Sequence, residues 1–340
     1  MKYSVIIPVY NSAYILKTCI YSIMNQTFKD FEAIFVNDGS TDGSELLLDQ
    51  EAKRYNNMKV IHQENHGISY TRNVGLESAI GDYILFVDGD DAIDLGLLES
   101  VNKYIDRYHD DITIFRCNVI SSNKFHGVDT NINERDNSKL ISGNVCLACE
   151  PLMVFNKVFK KKLLDDNNIR FVIDVNYEDL VFSCYAIAHA KSIRVVEEKL
   201  YYYIQHNESF MKSPNIERIN SITKTLENIR KYYANAGLFN CYRDEIEWLT
   251  IQHVLYYSNL RLITYGNNPK DFPEKFTYVE THYPDFRRNK YIYSNNISDI
   301  NKFFLKRILE NKFSLLIARY YYFVRLKLFM KTFLRIGGKK

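Results

Sequence analysis

The first third of the chain alternates between two hydrophobic patterns. Short, mainly apolar runs occupy residues 4–9, 31–37 and 83–87, and residues 59–62 are strand-like. Helical spacing occupies residues 13–24, 44–55 and 69–79. An unbroken apolar run is typical of a strand buried on both faces. Because strand–helix alternation requires right-handed crossovers, the pattern predicts an α/β fold with a mainly parallel sheet and helices on both faces.

Polar clusters follow three of these predicted strands directly. They are Tyr10-Asn11, Asn37-Asp38-Gly39-Ser40 and Asp88-Gly89-Asp90-Asp91. Ligands of open α/β sheets bind outside the carboxyl ends of the strands, where the following loops converge. The sequence therefore predicts that these three loops meet at one edge of the sheet.

The third cluster carries three carboxylates within four residues: Asp88, Asp90 and Asp91. Like charges at such spacing raise one another's pKa unless a cation lies between them. Mg²⁺ and Mn²⁺ prefer oxygen ligands and take one or two protein carboxylates together with phosphate oxygens. A solvated acidic turn that caps the next helix is the alternative. The position after a buried strand, beside two other polar loops, favours the metal.

The other two loops allow two interpretations each. Asp38 lies in a segment that suits a turn and a helix N-cap, but a carboxylate at a strand end can also accept a hydrogen bond from the ring N–H of uracil. Arg72 lies early in a predicted helix between Gly67 and Gly75, where it suits a phosphate or a surface ion pair. Neither a P-loop nor a G-x-G-x-x-G motif occurs.

Taken together, these segments resemble glycosyltransferase family 2, whose members are inverting enzymes with a GT-A fold. The matching segments, in order, are residues 4–11, 37–42, 65–75, 88–91, 155–159 and 177–182. The fifth, Phe155-Asn156-Lys157-Val158-Phe159, is similar to the family's Trp-Asn-Lys-Leu stretch with Phe in place of Trp. The resemblance covers roughly residues 1–210 and implies a Rossmann-like catalytic domain.

The resemblance also implies roles for individual residues. The donor nucleotide falls to Pro8, Tyr10, Asn11, Asp38, Arg72 and Asp88, with uracil held by Tyr10 and Asp38 and the ribose approached by Asp88. Mn²⁺ or Mg²⁺ falls to Asp90 and Asp91. Asp179 is expected to be the general base, with Glu178 beside it at the acceptor.

One motif departs from the family pattern. The family often has Tyr-Tyr-Tyr-Arg after its late strand, whereas this chain has Tyr201-Tyr202-Tyr203-Ile204. The cationic contact that the Arg would make to the diphosphate is therefore in doubt. His206 and Lys212 follow closely and are the candidates for a contact to the diphosphate or the acceptor.

Beyond the resemblance the pattern becomes helical, which predicts a catalytic domain over 1–212 and a helical region over 213–340. Residues 302–340 hold eleven Lys or Arg and one acid, Glu310, interleaved with aromatic and aliphatic residues. This pattern predicts an amphipathic helix on an anionic membrane surface, and packing against the catalytic domain is the alternative. No nucleic-acid recognition motif accompanies the charge, so we expect no nucleic-acid partner.

The predicted enzyme is cytoplasmic and peripheral on the inner face of the plasma membrane. A strand begins within four residues of the N-terminus without a charged signal region, and no run of about 18 apolar residues occurs. The predicted reaction moves a sugar from a UDP-sugar to a saccharide acceptor, expected to be lipid-linked and part of surface polysaccharide synthesis. A metal-dependent nucleotidyltransferase and a non-catalytic sugar-nucleotide-binding module are the rival hypotheses.

Overall fold

The structure is a computed structural model that describes residues 1–125, 127–130, 136–205, 215–264, 272–293, 306–307 and 309–310. The chain divides into two compact units, Met1–Lys212 and Ser213–Lys340. His206 and Lys212 lie outside the described residues, as does nearly all of the basic segment 302–340. The predictions made for them therefore stay predictions.

The first unit alternates strands and helices from its first residues. Its elements are β1 (Tyr3–Val9), α1 (Ala13–Met24), β2 (Phe31–Asp38), α2 (Ser44–Ala52), β3 (Met58–Gln63), α3 (Ile68–Ser78), β4 (Tyr83–Phe86), β5 (Ala92–Ile93), α4 (Leu97–Tyr108), β6 (Ile112–Ser121), β7 (Ser138–Ile141), α5 (Gly143–Cys149), β8 (Lys157–Lys160), α6 (Lys161–Asp166), α7 (Glu178–His189) and β9 (Ile193–Gln205). Each predicted early strand and helix lies within a few residues of its expected position.

The nine strands of the described chain form one mixed sheet in the order β3-β2-β1-β4-β8-β6-β9-β5, with β7 paired to β9. The first four strands are parallel to one another, as the alternation predicts. Strand β8 runs antiparallel to both β4 and β6 and so joins the parallel half to the rest of the sheet. The α/β fold class predicted from the sequence is confirmed.

Burial explains why the first strands are rich in apolar residues. All eight residues of β2 and all four of β4 are buried, because helices cover both faces of this part of the sheet. Close helix packing depends on Gly75 in α3, where a Cβ would lie 2.3 Å from a methyl of Ile6 on β1. Helix α3 is thereby held against the strand that precedes the first polar loop.

The second unit is helical in its described part, with a core that includes Tyr233 and Trp248. Its elements are α8 (Ile216–Asn220), α9 (Ile222–Asn235), α10 (Arg243–Thr250), a π-helical segment (Ile251–Tyr257), α11 (Ser258–Thr264) and α12 (Phe272–His282). Among the residues that the structure describes, none of the helices has the length and apolar character needed to cross a membrane.

Candidate active site

The carboxyl ends of the parallel strands meet at one edge of the sheet. In the register of β1 and β2, Val9 lies beside Asn37, and Ile6 lies beside Phe86 of β4. The loops that follow β1, β2 and β4 therefore leave the sheet side by side. The last of these, residues 87–91, is called the acid loop below.

A single guanidinium on α3 joins three carboxylates from two distant parts of the chain. Arg72 is 1% exposed. Its Nη2 donates to Asp88 Oδ1 at 2.8 Å, and its Nη1 donates to Glu178 Oε1 at 3.0 Å and to Asp179 Oδ1 at 2.5 Å. These four residues form the Arg72 cluster. Through the Arg72 side chain, the cluster joins Asp88, which is expected at the ribose, to Asp179, the expected general base.

The Arg72 side chain differs from the surface ion pair that its sequence position allows. Its guanidinium carbon lies 5.2 Å from the centre of the Phe171 ring, which shields it from water. The three carboxylates outweigh burial and raise the pKa of Arg72, so it stays charged. Its Nε is buried and makes no hydrogen bond within the described chain. The expected nucleotide contact stays a prediction.

The carboxyl group of Asp179 has the properties expected of a base near neutral pH. Burial raises its pKa to about 7, Arg72 lowers it, and Glu178 and Asp88 raise it. The backbone N–H of Val154 also acts to lower the pKa of Asp179. The side chain is 22% exposed, so a substrate can still approach it.

Glu178 and Asp179 occupy the first turn of α7, where the helix dipole favours negative charge. The residue before them, Tyr177, has a φ of 61°, a left-handed conformation that is costly for an aromatic residue. Backbone strain of this kind concentrates at functional sites. Nothing in the sequence around Tyr177 indicates it, because any bulky residue normally avoids this conformation.

Asp91, expected at the metal, has a structural role in the acid loop. It is 1% exposed, and it accepts a hydrogen bond from the Tyr201 hydroxyl at 2.7 Å and from the Ile204 backbone N–H at 2.8 Å, one on each oxygen. Burial, followed by the charges of Asp88 and Asp90, raises the pKa of Asp91. Its carboxylate thus holds the acid loop to β9, and its expected contact to a cation stays a prediction.

The same contacts involve Ile204, which stands where the resemblance predicts Arg. Ile204 is 2% exposed, and its backbone N–H donates a hydrogen bond to Asp91. The Tyr201 hydroxyl accepts from the Asp88 N–H at 3.2 Å while it donates to Asp91. Strand β9 therefore shapes the acid loop mainly through its backbone and one phenol.

Asp90 and the second oxygen of Asp88 are the better candidates for a divalent cation. Asp90 is half-buried, and Arg72 engages only Oδ1 of Asp88 in the contacts that the structure describes. No group of three or more His, Cys, Asp and Glu side chains in the described chain could hold a metal by itself. Five carboxylates gather around Arg72 and the acid loop, so the site chemically fits a cation that also takes phosphate oxygens.

At the end of β2, Asp38 organises the loop that leads into α3. It is 4% exposed; Oδ1 accepts from Gln63 Nε2 at 2.7 Å and His66 N at 2.9 Å, and Oδ2 accepts from Gly67 N at 2.9 Å. A carboxylate oxygen has two acceptor positions, so Oδ2 keeps capacity for a ligand donor. The structural role of Asp38 is therefore compatible with the predicted hydrogen bond from uracil.

The loop after β1 presents an exposed aromatic ring beside the acid loop. Tyr10 is 54% exposed, and Asn11 has a φ of 48° and accepts from Thr41 N at 2.8 Å through its side chain. A Cβ at Gly89 would lie 2.9 Å from the Pro8 carbonyl oxygen, so glycine permits the acid loop to approach β1. Pro8, Tyr10 and Asn11 thereby lie at the edge where a nucleotide is expected.

Helix α3 connects the Asp38 region to the Arg72 cluster. Gln63 Nε2, which binds Asp38, also donates to Thr71 Oγ1 at 3.2 Å, and the next residue is Arg72. Asp38, Asp88 and Asp179 thus belong to one contiguous site. Sequence reasoning missed Val154 and Tyr201, which support this site, because neither residue type carries a signal for a contact so distant along the chain.

The sequence is similar to those of known proteins. Residues 4–167 match the family model described as glycosyl transferase family 2. The chain is 30% identical over 253 residues to the glycosyltransferase YibD of Escherichia coli (strain K12), which covers 69% of this chain and 72% of that protein. It is 28% identical over 253 residues to poly(ribitol-phosphate) beta-N-acetylglucosaminyltransferase TarS of Staphylococcus aureus (strain Mu50 / ATCC 700699), covering 72% of this chain and 43% of TarS.

Solved structures share the fold over nearly the whole chain. The crystal structure of S. aureus TarS 1–349 in complex with UDP-GlcNAc superposes with a TM-score of 0.66 at 22% identity, covering 97% of this chain and 92% of that one. The mannosyltransferase PcManGT from Pyrobaculum calidifontis, in complex with GDP-Man and Mn²⁺, gives 0.53 at 16% identity, covering 91% and 86%. At these identities the likeness shows a GT-A fold.

Proposed function

The chain belongs to glycosyltransferase family 2, and from this membership we propose that it transfers the sugar of a UDP-sugar to an acceptor hydroxyl with inversion at the anomeric carbon. The observation that carries the proposal is the Arg72 cluster, which joins Asp88 of the acid loop to Asp179 of α7. Membership of a glycosyltransferase family sets aside the nucleotidyltransferase and the non-catalytic module.

Asp179 is the proposed general base. A sugar hydroxyl is a poor nucleophile, so a carboxylate must accept its proton while the bond to the anomeric carbon forms. A base works best when its pKa is close to the working pH, and the pKa of Asp179 is about 7. One direct displacement at the anomeric carbon inverts its configuration, and UDP leaves from the opposite face.

The residues at the acid loop are suited to the leaving group. Asp90, with the second oxygen of Asp88, would hold Mn²⁺ or Mg²⁺, which supplies positive charge to the diphosphate oxygens as they gain negative charge. Tyr10 offers an exposed ring for the base of the nucleotide, and Asp38 keeps an acceptor position for its ring N–H. Arg72 holds Asp88 and Asp179 in fixed relation, so the donor and the base keep one geometry.

The acceptor proposed here is a lipid-linked saccharide in surface polysaccharide synthesis. The support is the composition of 302–340, which suits an anionic membrane surface, together with a relative named for the transfer of N-acetylglucosamine to poly(ribitol phosphate). The enzyme would then act at the inner face of the plasma membrane. Vesicle co-sedimentation of the full chain, with and without anionic lipid, tests this attachment.

The reaction is tested with a panel of UDP-sugars, assayed with Mn²⁺ and with a chelator. We expect one donor to be turned over, and we expect turnover to stop when the metal is removed. Asp179→Asn should abolish turnover while UDP still binds. Asp174→Asn is the matched control, because it makes the same change of charge at an exposed residue five positions before Asp179. Full turnover by Asp179→Asn would refute the base, and turnover in chelator would refute the metal.

A further inference from the structure

A chain of hydrogen bonds runs from α2 into the first two polar loops of the candidate site. Near the end of β3, Nε2 of His62 lies 3.1 Å from Oδ1 of Asp49 on α2. On the other side of the ring, Nδ1 of His62 lies 3.1 Å from Nδ2 of Asn37, its register neighbour on β2. The imidazole therefore joins a helix to the strand that ends at the site, and the proposed reaction gives it no role.

The bonds of Asn37 determine which form of His62 fits. Asn37 is 1% exposed, and its Oδ1 accepts from the Ser40 backbone N–H at 3.2 Å. The amide therefore turns its NH2 group toward His62, because the opposite orientation would place that group against the Ser40 N–H. Nδ1 of His62 must then accept, which leaves the proton on Nε2, where it is donated to Asp49.

The same chain of bonds continues between the two loops that are expected at the nucleotide. Ser40, in the loop after β2, accepts through its Oγ from the backbone N–H of Asn11, in the loop after β1, at 3.0 Å. The residue that follows Asn37 is Asp38, which is expected at uracil. His62 thus supports, through Asn37, the contact between these two loops.

We propose that His62 is a positioning residue for the donor nucleotide: its neutral ring holds Asn37, and Asn37 holds the loop after β2 against the loop after β1. The inference rests on the proposed function, because it takes these two loops as the site of UDP. His62 acts through Asn37 rather than on the donor itself. Its effect therefore falls on the affinity for UDP, and the chemical step is spared.

Protonation of His62 weakens this support. A second proton on the ring makes Nδ1 a donor, and it then faces the NH2 group of Asn37, which is also a donor. Either this contact opens, or the amide turns over and loses its bond from the Ser40 N–H. The Nε2–H group donates to Asp49 in both forms of the ring, so the change falls on the side of Asn37.

The charged groups on the elements packed against β3 agree with this sign. Helix α2 presents Asp49, whose charge favours the protonated ring and so opposes the contact to Asn37. Strand β2 presents the uncharged Asn37, followed by Asp38, whose oxygens are bonded to Gln63 and to the loop before α3. Acid therefore loosens the loop after β2 and weakens the binding of UDP.

The test compares two amide substitutions, each of which keeps the role of one ring nitrogen. The amide of His62→Asn lies near the position of Nδ1, so this variant keeps an acceptor for Asn37 at every pH. The amide of His62→Gln reaches the position of Nε2, so this variant keeps the bond to Asp49 and loses the acceptor for Asn37. The measured quantity is the Kd of UDP with Mn²⁺, by calorimetry, at about pH 8 and about pH 5.5.

Each variant is compared with the unmodified protein at the same pH, because UDP itself gains a proton in acid. We expect His62→Asn to match the unmodified protein at the higher pH and to bind UDP about fivefold more tightly than it at the lower pH. His62→Gln should bind about tenfold more weakly at the higher pH and match the unmodified protein at the lower pH. Equal losses in the two variants, or full affinity in His62→Gln, would overturn the positioning role.

His109→Asn is the matched control. His109 is exposed after the last residue of α4 and has a φ of 53°, a conformation that asparagine adopts readily. This variant should bind UDP as the unmodified protein does at both pH values. A change in its affinity equal to that of the His62 variants would contradict the assignment to His62.

Asn37→Asp provides the test if His62→Gln does not fold. One carboxylate oxygen accepts from the Ser40 N–H, and the other accepts from Nδ1–H of the protonated ring, so the preferred form of His62 is reversed. The affinity of this variant for UDP, relative to the unmodified protein, should therefore improve as the pH falls. A ratio that is independent of pH would overturn the proposal.

The panel of UDP-sugars distinguishes failure of this inference from failure of the proposed function. If the unmodified protein neither binds UDP nor turns over a UDP-sugar, the proposed function falls and the inference falls with it. If a UDP-sugar is turned over and the two His62 variants bind UDP alike, the proposed function stands and only the positioning role falls.

Discussion

The two ends of the acid loop carry carboxylates in opposite surroundings. Asp88 is partly exposed and binds the buried guanidinium of Arg72, whereas Asp91, three residues later, is buried against β9 and binds a phenol and a backbone N–H. Asp88 belongs to the Arg72 cluster at the edge of the sheet, and Asp91 anchors the acid loop to β9. Carboxylates three residues apart thus have different partners, according to the element that each one faces.

The largest expected effect is that of Arg72→Met, which removes the cation of the Arg72 cluster. Three carboxylates would be left without their shared partner, and the loss of one side of a buried ion pair costs about 3–5 kcal/mol. We expect the free energy of unfolding, measured in urea, to fall by about this amount and turnover to be lost. Arg54→Met is the control, because Arg54 is 65% exposed and, within the described residues, contacts its sequence neighbours Glu51 and Tyr55. It should cost about 0–1 kcal/mol, and an equal cost at both sites would contradict the comparison.

The comparison is sharpest between Asp90→Asn and Asp91→Asn, which change charge by the same amount one residue apart. Asp90→Asn should lower turnover about a hundredfold and raise the Mn²⁺ concentration needed for half-maximal activity. Asp91→Asn should leave the Mn²⁺ requirement unchanged, because both of its oxygens face β9. A shifted Mn²⁺ requirement in Asp91→Asn would restore Asp91 as a metal ligand.

The pH dependence of the reaction tests the pKa of Asp179 in the Arg72 cluster without a mutation. Burial raises the pKa of Asp179 to about 7, and only the deprotonated form accepts a proton. The value of kcat/KM should therefore rise with pH and level off above about 7, and fall about tenfold per pH unit below it. An acidic limb near pH 4, the usual range of an Asp, would show that burial does not act on the base.

The smallest effect is expected from Tyr201→Phe, which acts on the support side. The substitution leaves one oxygen of Asp91 and the N–H of Asp88 without the hydroxyl. An unsatisfied buried partner costs about 1–3 kcal/mol, so the melting temperature should fall modestly while the acidic limb stays in place. Tyr21→Phe, at an exposed tyrosine, should be silent. A shifted limb in Tyr201→Phe would show that the two sides are not separate.

Much of the fold follows from local pattern. The apolar runs of β1, β2 and β4 and the helical spacing of α1 and α3 are visible in the residues themselves, and their order implies a parallel arrangement with loops at one edge. The antiparallel insertion of β8 between β4 and β6 is not visible, because a four-residue strand carries no information about its neighbours.

Candidate residues of the site could be identified by type and spacing, but not their partners. Arg72 was expected at a nucleotide or in a surface ion pair; it is buried and bonded to carboxylates 16, 106 and 107 residues away, and its nucleotide contact stays a prediction. Asp91 was expected at a metal, and its partner Ile204 is 113 residues away. His62 ended a strand-like run without a predicted role, since the partners of one histidine on a neighbouring strand and helix have no signature in sequence.

By itself, the sequence determined which loops gather at the edge of the sheet, because strand polarity follows from the order of strands and helices along the chain. Only the tertiary structure decided which carboxylate meets a cation, which meets a hydroxyl, and which remains available to a ligand. Those outcomes depend on the direction of each side chain and on the elements packed against it. Desolvation and Coulomb energies change steeply over a few ångströms, a scale that spacing along the chain does not specify.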